Sequence, residues 1–331
     1  MPDYQSQEFL FQRIKELLPP HESLVDTVAE ILHVSSDSAY RRIRGETPVV
    51  LDEARELCGH FKLSLDQVLN VKSGATLFQS VRVDTNNYKY EVYLGDLIKQ
   101  LQYIGSFIHK EIIYRSKDVP LFHNFYYEPI IAFRYFFWMK SIIQHPDFQE
   151  KEFELNCVSP EIEKLSRELI IEYNKLPSTE IWNTECINAA ITQIEFYKDS
   201  GYFVSAADIR TVYDSLEETF IHLKNEVEYG CKFLPGENPE TKKTNFKFFY
   251  NRAVLGDNTI MIVTDRVKTA FLNYDGLNFI QTRDESFCNP LYEDLQNQMK
   301  SATIISQTSE KQRNIFFNIM LNKIVERKKN L

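Results

Sequence analysis

The sequence predicts a mainly α-helical chain with a C-terminal α+β part. Three observations carry this. Apolar residues recur at helical spacing over most of residues 7–231, and Gly is scarce, at 10 of 331. Short runs with strand character, separated by Asp, Asn and Gly, are confined to 246–282. Composition shifts divide the chain into a module of short helices over 1–72, a linker over 73–89, a helical-bundle region over 90–231 suited to dimerisation or sensing, and an α+β regulatory region over 232–331 with a small antiparallel sheet and two helices.

Residues 7–18 (QEFLFQRIKELL) place Phe9, Leu10, Ile14, Leu17 and Leu18 on one stripe, and Pro19-Pro20 ends that helix. Residues 23–33 form a second helix, with Ser23 as N-cap and Val25, Val28, Ala29 and Leu32 as the buried face. Ser35-Ser36-Asp37 offers the N-cap of a third helix over 36–44, which Gly45 stops. Residues 51–61 and 64–70 read as two more short helices. Beyond the linker, helices are expected near 91–115, 127–145, 159–175, 179–199 and 205–230, punctuated by Pro120, Pro129, Pro146, Pro160, Pro177 and Gly201. Short connections imply antiparallel neighbours, hence a bundle. Residues 232–244 read as a linker or hairpin loop, and strands are expected over 246–255, 259–264, 268–273 and 277–282, with Asp275-Gly276 as a hairpin signal. Helices near 287–301 and 309–328 close the chain, the last ending in Arg327-Lys328-Lys329.

Several function classes are disfavoured. The five Cys are scattered, with no C-x₂-C pair, and the seven His include no H-E-x-x-H, so no metal site is expected. The scattered thiols fit a reducing compartment. No apolar run is long enough to span a membrane, and the polar start Met1-Pro2-Asp3-Tyr4-Gln5 lacks a signal-peptide pattern, so the chain is expected in the cytoplasm, off the membrane. Scarce Gly argues against phosphate-cradling loops, and no cofactor or enzymatic activity is expected. A formal net charge of −9 argues against indiscriminate coating of nucleic acid.

One segment carries a specific signal. Helix 23–33, the turn His33-Val34-Ser35 and helix 36–44 have helix-turn-helix spacing. Val34 plugs the core between the helices, and Ser35 or Ser36 caps the second. Ala39 and Ile43 face inward at i,i+4. Asp37, Ser38, Arg41 and Arg44 then share the outer face, with Tyr40 and Arg42 flanking. Residues 1–72 hold eight Lys/Arg against twelve Asp/Glu, yet three Arg fall within four positions. Arg can fork onto guanine edges or phosphate, and Ser and Tyr can bond phosphate. The candidate DNA-contacting residues are Ser36, Asp37, Ser38, Tyr40, Arg41, Arg42 and Arg44.

The stretch from about residue 7 to 70 resembles the Xre-type, lambda-repressor-like helix-turn-helix domain, and more narrowly the BetR-like domains of bacterial regulators. Ala29, Val34-Ser35, Arg44-Gly45 and the trailing Leu51, Ala54, Leu57, Phe61 and Leu63-Ser64-Leu65 carry the resemblance. Val25 stands where the family usually has Gln, and His33 where it usually has Gly. The resemblance implies sequence-specific binding of double-stranded DNA by a homodimer on paired half-sites. A small molecule or protein is the expected effector of the C-terminal region.

Other features have plainer readings. His222-Leu223-Lys224 matches the H-x-K of phospholipase D-like sites, but Tyr229 stands where an Asp is needed, which leaves a solvated helix face. Asp265, Asp275 and Asp284 fall in turns, and Cys288 reads as a buried structural thiol. Residues 121–138 pack nine aromatics into 18 positions. They read as core or interface, or as an interhelical ligand pocket formed by His123, Tyr126, Tyr127, Arg134 and Trp138. The sequence thus favours a DNA-binding regulator. The alternatives are an enzyme of unknown chemistry in 232–331 with a DNA-targeting module, and an antitoxin-like interaction protein.

Overall fold

The computed structural model describes residues 5–65, 76–81, 88–253, 256–275, 278–329 and 331. Four helices open the chain: Gln5–Leu17 (α1), Leu24–Ile31 (α2), Ser36–Ile43 (α3) and Leu51–Phe61 (α4). They enclose their own core of Leu10, Phe11, Ile14, Leu18, Val28, Ala39, Leu57 and Cys58. The local chemistry read from the sequence sets their ends. Ser23 Oγ accepts from Asp26 N at 3.4 Å, and Ser35 Oγ accepts from Ser38 N at 3.3 Å. His33 holds the turn at φ 53° and Gly45 ends α3 at φ 72°, both in the left-handed region. Residues 66–70 of the helix expected over 64–70 lie outside the described residues, as does much of the expected linker. Within that linker Gln79–Val81 is a strand (β1).

The remaining chain builds one mixed sheet with helices on both faces. After helix Tyr90–Gly105 (α5) come the strands Lys110–Arg115 (β2), Ser178–Trp182 (β3), Phe246–Tyr250 (β4), Thr259–Thr264 (β5), Lys268–Asp275 (β6), Asn278–Thr282 (β7) and Thr303–Ile304 (β8). Their order is β1-β7-β6-β5-β2-β3-β4-β8. β2, β3 and β4 run parallel, and the other pairings are antiparallel. Between β2 and β3 lie Glu128–Phe137 (α6), a π turn over Trp138–Ile142, Pro146–Gln149 (α7) and Pro160–Asn174 (α8). Asn188–Asp199 (α9) and Ala206–Tyr229 (α10) connect β3 to β4, and Glu285–Ser301 (α11) and Glu310–Lys328 (α12) end the chain. Alternate strand residues serve the two faces. Ile112, Trp182, Phe246, Phe248 and Tyr250 join the large core under α5, α6, α8, α9, α10 and α12. Ile113, Ile181, Met261 and Ala270 meet Cys288 and Leu295 of α11 on the other face.

Two expectations are corrected. The middle region is not a helical bundle, and the sheet is neither small nor purely antiparallel. The helices expected near 91–115 and 179–199 each contain a central strand, β2 and β3, and hydrogen bonding from β3 to β4 runs across the expected boundary at 231/232. A strand buried on both faces in a parallel pair has no polar alternation, so a short apolar run cannot be told from a helix by periodicity. Strands β5, β6 and β7 stand close to where expected, while β4 stops at Tyr250, short of the expected 246–255, and Gly276 of the hairpin signal lies outside the described residues. Among the described residues no helix is long and apolar enough to cross a membrane.

Candidate functional site

The outer face of α3 is built from the inside out. Ala39 is fully buried and Ile43 half-buried, which fixes the helix against α2 and α1. The opposite face presents Ser36, Asp37, Tyr40, Arg41 and Arg44 to solvent, while Ser38 is half-buried. Arg41 pairs with Asp37 one turn back at 3.1 Å, with both side chains more than half exposed. The Arg44 guanidinium lies 5.6 Å from the centre of the Tyr40 ring and donates to its hydroxyl at 3.3 Å. Glu46 approaches Arg44 at 3.4 Å. The Tyr40 hydroxyl and, after it, the Glu46 charge hold Arg44 more firmly protonated than a free guanidinium. Two arginines and a tyrosine are therefore displayed outward, and each arginine faces a carboxylate that an incoming anion can replace.

Arg42 has a different place. Its Nε and Nη2 fork onto Glu53 of α4 at 3.0 and 2.7 Å, and Nη1 donates to Ser38 Oγ at 2.6 Å. Its side chain is 14% exposed. The hydrogen bond from Arg42 is the largest influence lowering the Glu53 carboxyl, and Glu53 also accepts from Val50 N at 3.3 Å. Arg42 thus ties α3 to the start of α4, and its guanidinium is turned away from the outward pair.

A second concentration of charge lies in the large core. Glu180, in the middle of β3, has no solvent exposure. His123 Nε2 faces both its oxygens at 2.9 and 3.0 Å, Tyr173 OH donates at 2.7 Å and Trp182 Nε1 at 2.8 Å. Burial pushes this carboxyl up, but the attraction and hydrogen bonds of His123 and Tyr173 outweigh it and leave it below the usual range. Next to this group, Tyr126 OH donates to Glu226 Oε1 at 2.7 Å, and Phe233 N donates to the same oxygen at 3.0 Å. Burial raises the Glu226 carboxyl to about 7. Lys232 donates to Tyr173 O at 2.8 Å, and burial lowers its amine to about 7. His222 Nε2 donates to Phe233 O at 2.8 Å, and burial lowers this imidazole to about 4.

The residues singled out between 121 and 138 are therefore separated. His123 and Tyr126 belong to this closed polar cluster. Arg134, 9% exposed, donates from Nε to Asn124 Oδ1 at 3.0 Å and from Nη1 to Gln193 Oε1. Trp138 packs edge-on against Tyr90 and Tyr93, and Tyr127 lies half-buried at the start of α6. The structure does not bring the five together around one interhelical pocket. His222 is also corrected, since it is buried rather than on a solvated face. Cys288 is a buried thiol, raised by burial to about 11, and Asp284 caps α11 by accepting from Ser286 N at 2.8 Å. Sequence reading missed Glu180, Glu226 and Lys232 as a group. Glu180 and Lys232 each stand directly before two apolar residues, Ile181-Trp182 and Phe233-Leu234, whereas Glu226, between Asn225 and Val227 with Lys224 and Glu228 close by, gives no such signal. Among the described residues, no group of His, Cys, Asp and Glu has the geometry of a metal site.

Comparison of the chain with family models, with curated proteins and with solved structures finds no match.

Proposed function

We propose that the chain is a one-component transcription regulator that binds double-stranded DNA in the cytoplasm through α3, as a homodimer, without catalysing a reaction. The observation that supports it best is the outward display of Arg41, Arg44 and Tyr40 on a Ser35-capped helix. That helix follows a tight turn at His33, and its inner face is locked by Ala39. Asp37 and Glu46 neutralise the two arginines in the free protein, and DNA phosphates or guanine edges take their places on binding. Ser36 and Ser38 lie in the first turn of α3, where hydroxyls can reach phosphate. The α/β body is the part that responds to a small molecule or protein, by binding one arrangement of the DNA-reading helices better than another.

The test is a gel-shift titration on the promoter region of the protein's own gene. Replacing both arginines, Arg41→Ala with Arg44→Ala, is expected to weaken binding by about ten- to a hundredfold and to reduce the salt dependence by about one unit of slope for each phosphate no longer neutralised. The melting temperature is expected to stay unchanged. Intact binding by this variant removes α3 as the reading element.

A further inference from the structure

Helix α1 is held at both ends, by different parts of the molecule. Pro19-Pro20 stops the helix and leaves its last carbonyls without helical partners. Side chains of the α/β body take them. Arg266, in the turn between β5 and β6, donates to Lys15 O and, at 2.6 Å, to Leu18 O. Tyr103 OH of α5 donates to Leu17 O. The guanidinium also places positive charge at the negative end of the helix dipole. Among the described residues, Arg266 has no carboxylate in ion-pair range, and its side-chain hydrogen bonds all go to α1. Slightly earlier in α1, Arg13 pairs with Glu285 of α11 at 2.7 Å.

The other end of α1 grips the reading helix. Gln7, 9% exposed, donates from Nε2 to Arg42 O at 2.7 Å and to Thr47 O at 2.8 Å, and its Oε1 accepts from Val49 N at 2.9 Å. These partners are the last turn of α3 and the loop that follows it. Gln7 and the clasped carbonyls are separated by roughly 15 Å of helix. Apolar packing alone lets a helix slide by small steps, whereas directional bonds to backbone at both ends fix its register.

We propose that α1 is a coupling rod: the clasp of Arg266 and Tyr103 on its C-terminal carbonyls sets the orientation of α3 relative to the α/β body, so that an effector acting on the β5–β6 turn or on α5 changes DNA affinity through α1. The link to DNA rests on the proposed role of α3 as the reading helix. The clasp itself does not.

The experiment uses the full chain with spin labels at Asp37→Cys and Lys300→Cys, in a Cys157→Ser background. The distance distribution is expected to be narrow in the parent and broad in Arg266→Ala with Tyr103→Phe. Arg266→Lys, which keeps the charge but shortens the side chain and removes the planar guanidinium, is expected to lie between them. Hydrogen exchange at the amides of Leu32 and Val34 checks that the N-terminal helices stay folded. Where the double variant does not fold, Arg266→Lys is read instead. An unchanged width overturns the clasp. The unlabelled variant is then titrated with the promoter duplex, where the expected change in Kd is at least about fivefold, and an unchanged Kd with a broadened distance overturns the coupling. A parent that binds no duplex removes the DNA reading alone, and the label width then upholds or overturns the clasp.

Discussion

The outer face of α3 and the core beneath β3 each hold a carboxylate against a nitrogen partner, and they sit at opposite limits of cost. Arg41 and Asp37 meet in solvent, where such a pair contributes about 0–1 kcal/mol and is readily exchanged. His123 and Glu180 meet in a dry interior, where neither side chain touches water. There, loss of one partner leaves the other stranded at about 3–5 kcal/mol. The first arrangement suits a surface that must trade one counter-charge for another. The second ties α8, α10 and β3 together through directional bonds from Tyr173 to Glu180, from Tyr126 to Glu226 and from Lys232 to the Tyr173 carbonyl.

The sharpest way to break this contrast is Glu180→Ala. Urea unfolding is expected to show a loss of about 3–5 kcal/mol, and a loss below about 1 kcal/mol would place the buried pair in the same class as the exposed one. A smaller effect is expected from pH. The unfolded lysine keeps its proton up to its ordinary value near 10.5, whereas buried Lys232 gives it up near 7. Between these values the unfolded chain binds more protons, so raising the pH favours the folded state. The stability of the parent relative to Lys232→Met is therefore expected to rise from pH 7 towards 10, by at most about 1.4 kcal/mol per pH unit. A flat difference across that window would mean that the amine remains charged in the core. The smallest effect is expected from Asp37→Ala. Melting should show a change within about 0.5 kcal/mol, while DNA affinity should be unchanged or higher because Arg41 is released. A large stability loss would show that the α3 surface is not the loosely held one.

The features legible in the sequence were those decided within a few residues. Ser23 as a cap, a serine at 35 or 36 as the next, Gly45 as the stop of α3, and the inward pair Ala39 and Ile43 all follow from local chemistry. The outward set was legible for the same reason, apart from Arg42 and the half-buried Ser38 whose hydroxyl it binds. Arg42 is the more instructive of the two. Its role depends on Glu53, which only the loop back to α4 brings within reach. The strands β2 and β3 were not legible, because Lys110–Arg115 and Ser178–Trp182 draw their identity from neighbours far along the chain. The polar cluster was hidden for that reason too. Glu180 meets His123 across 57 residues and Glu226 meets Tyr126 across 100, distances that no periodicity spans.

β1 has a consequence for anyone who would transplant the N-terminal helices. Residues 79–81 follow that module in the chain, but they pair with 279–281 as the edge strand of the body's own sheet. A splice made after 81 carries this strand away with the transplanted head and exposes the backbone of β7 as a new sticky edge. A splice placed ahead of 76 leaves the eight strands whole. The module that looks separable by sequence therefore has its structural seam upstream of β1, within the interval that composition alone marks as a spacer.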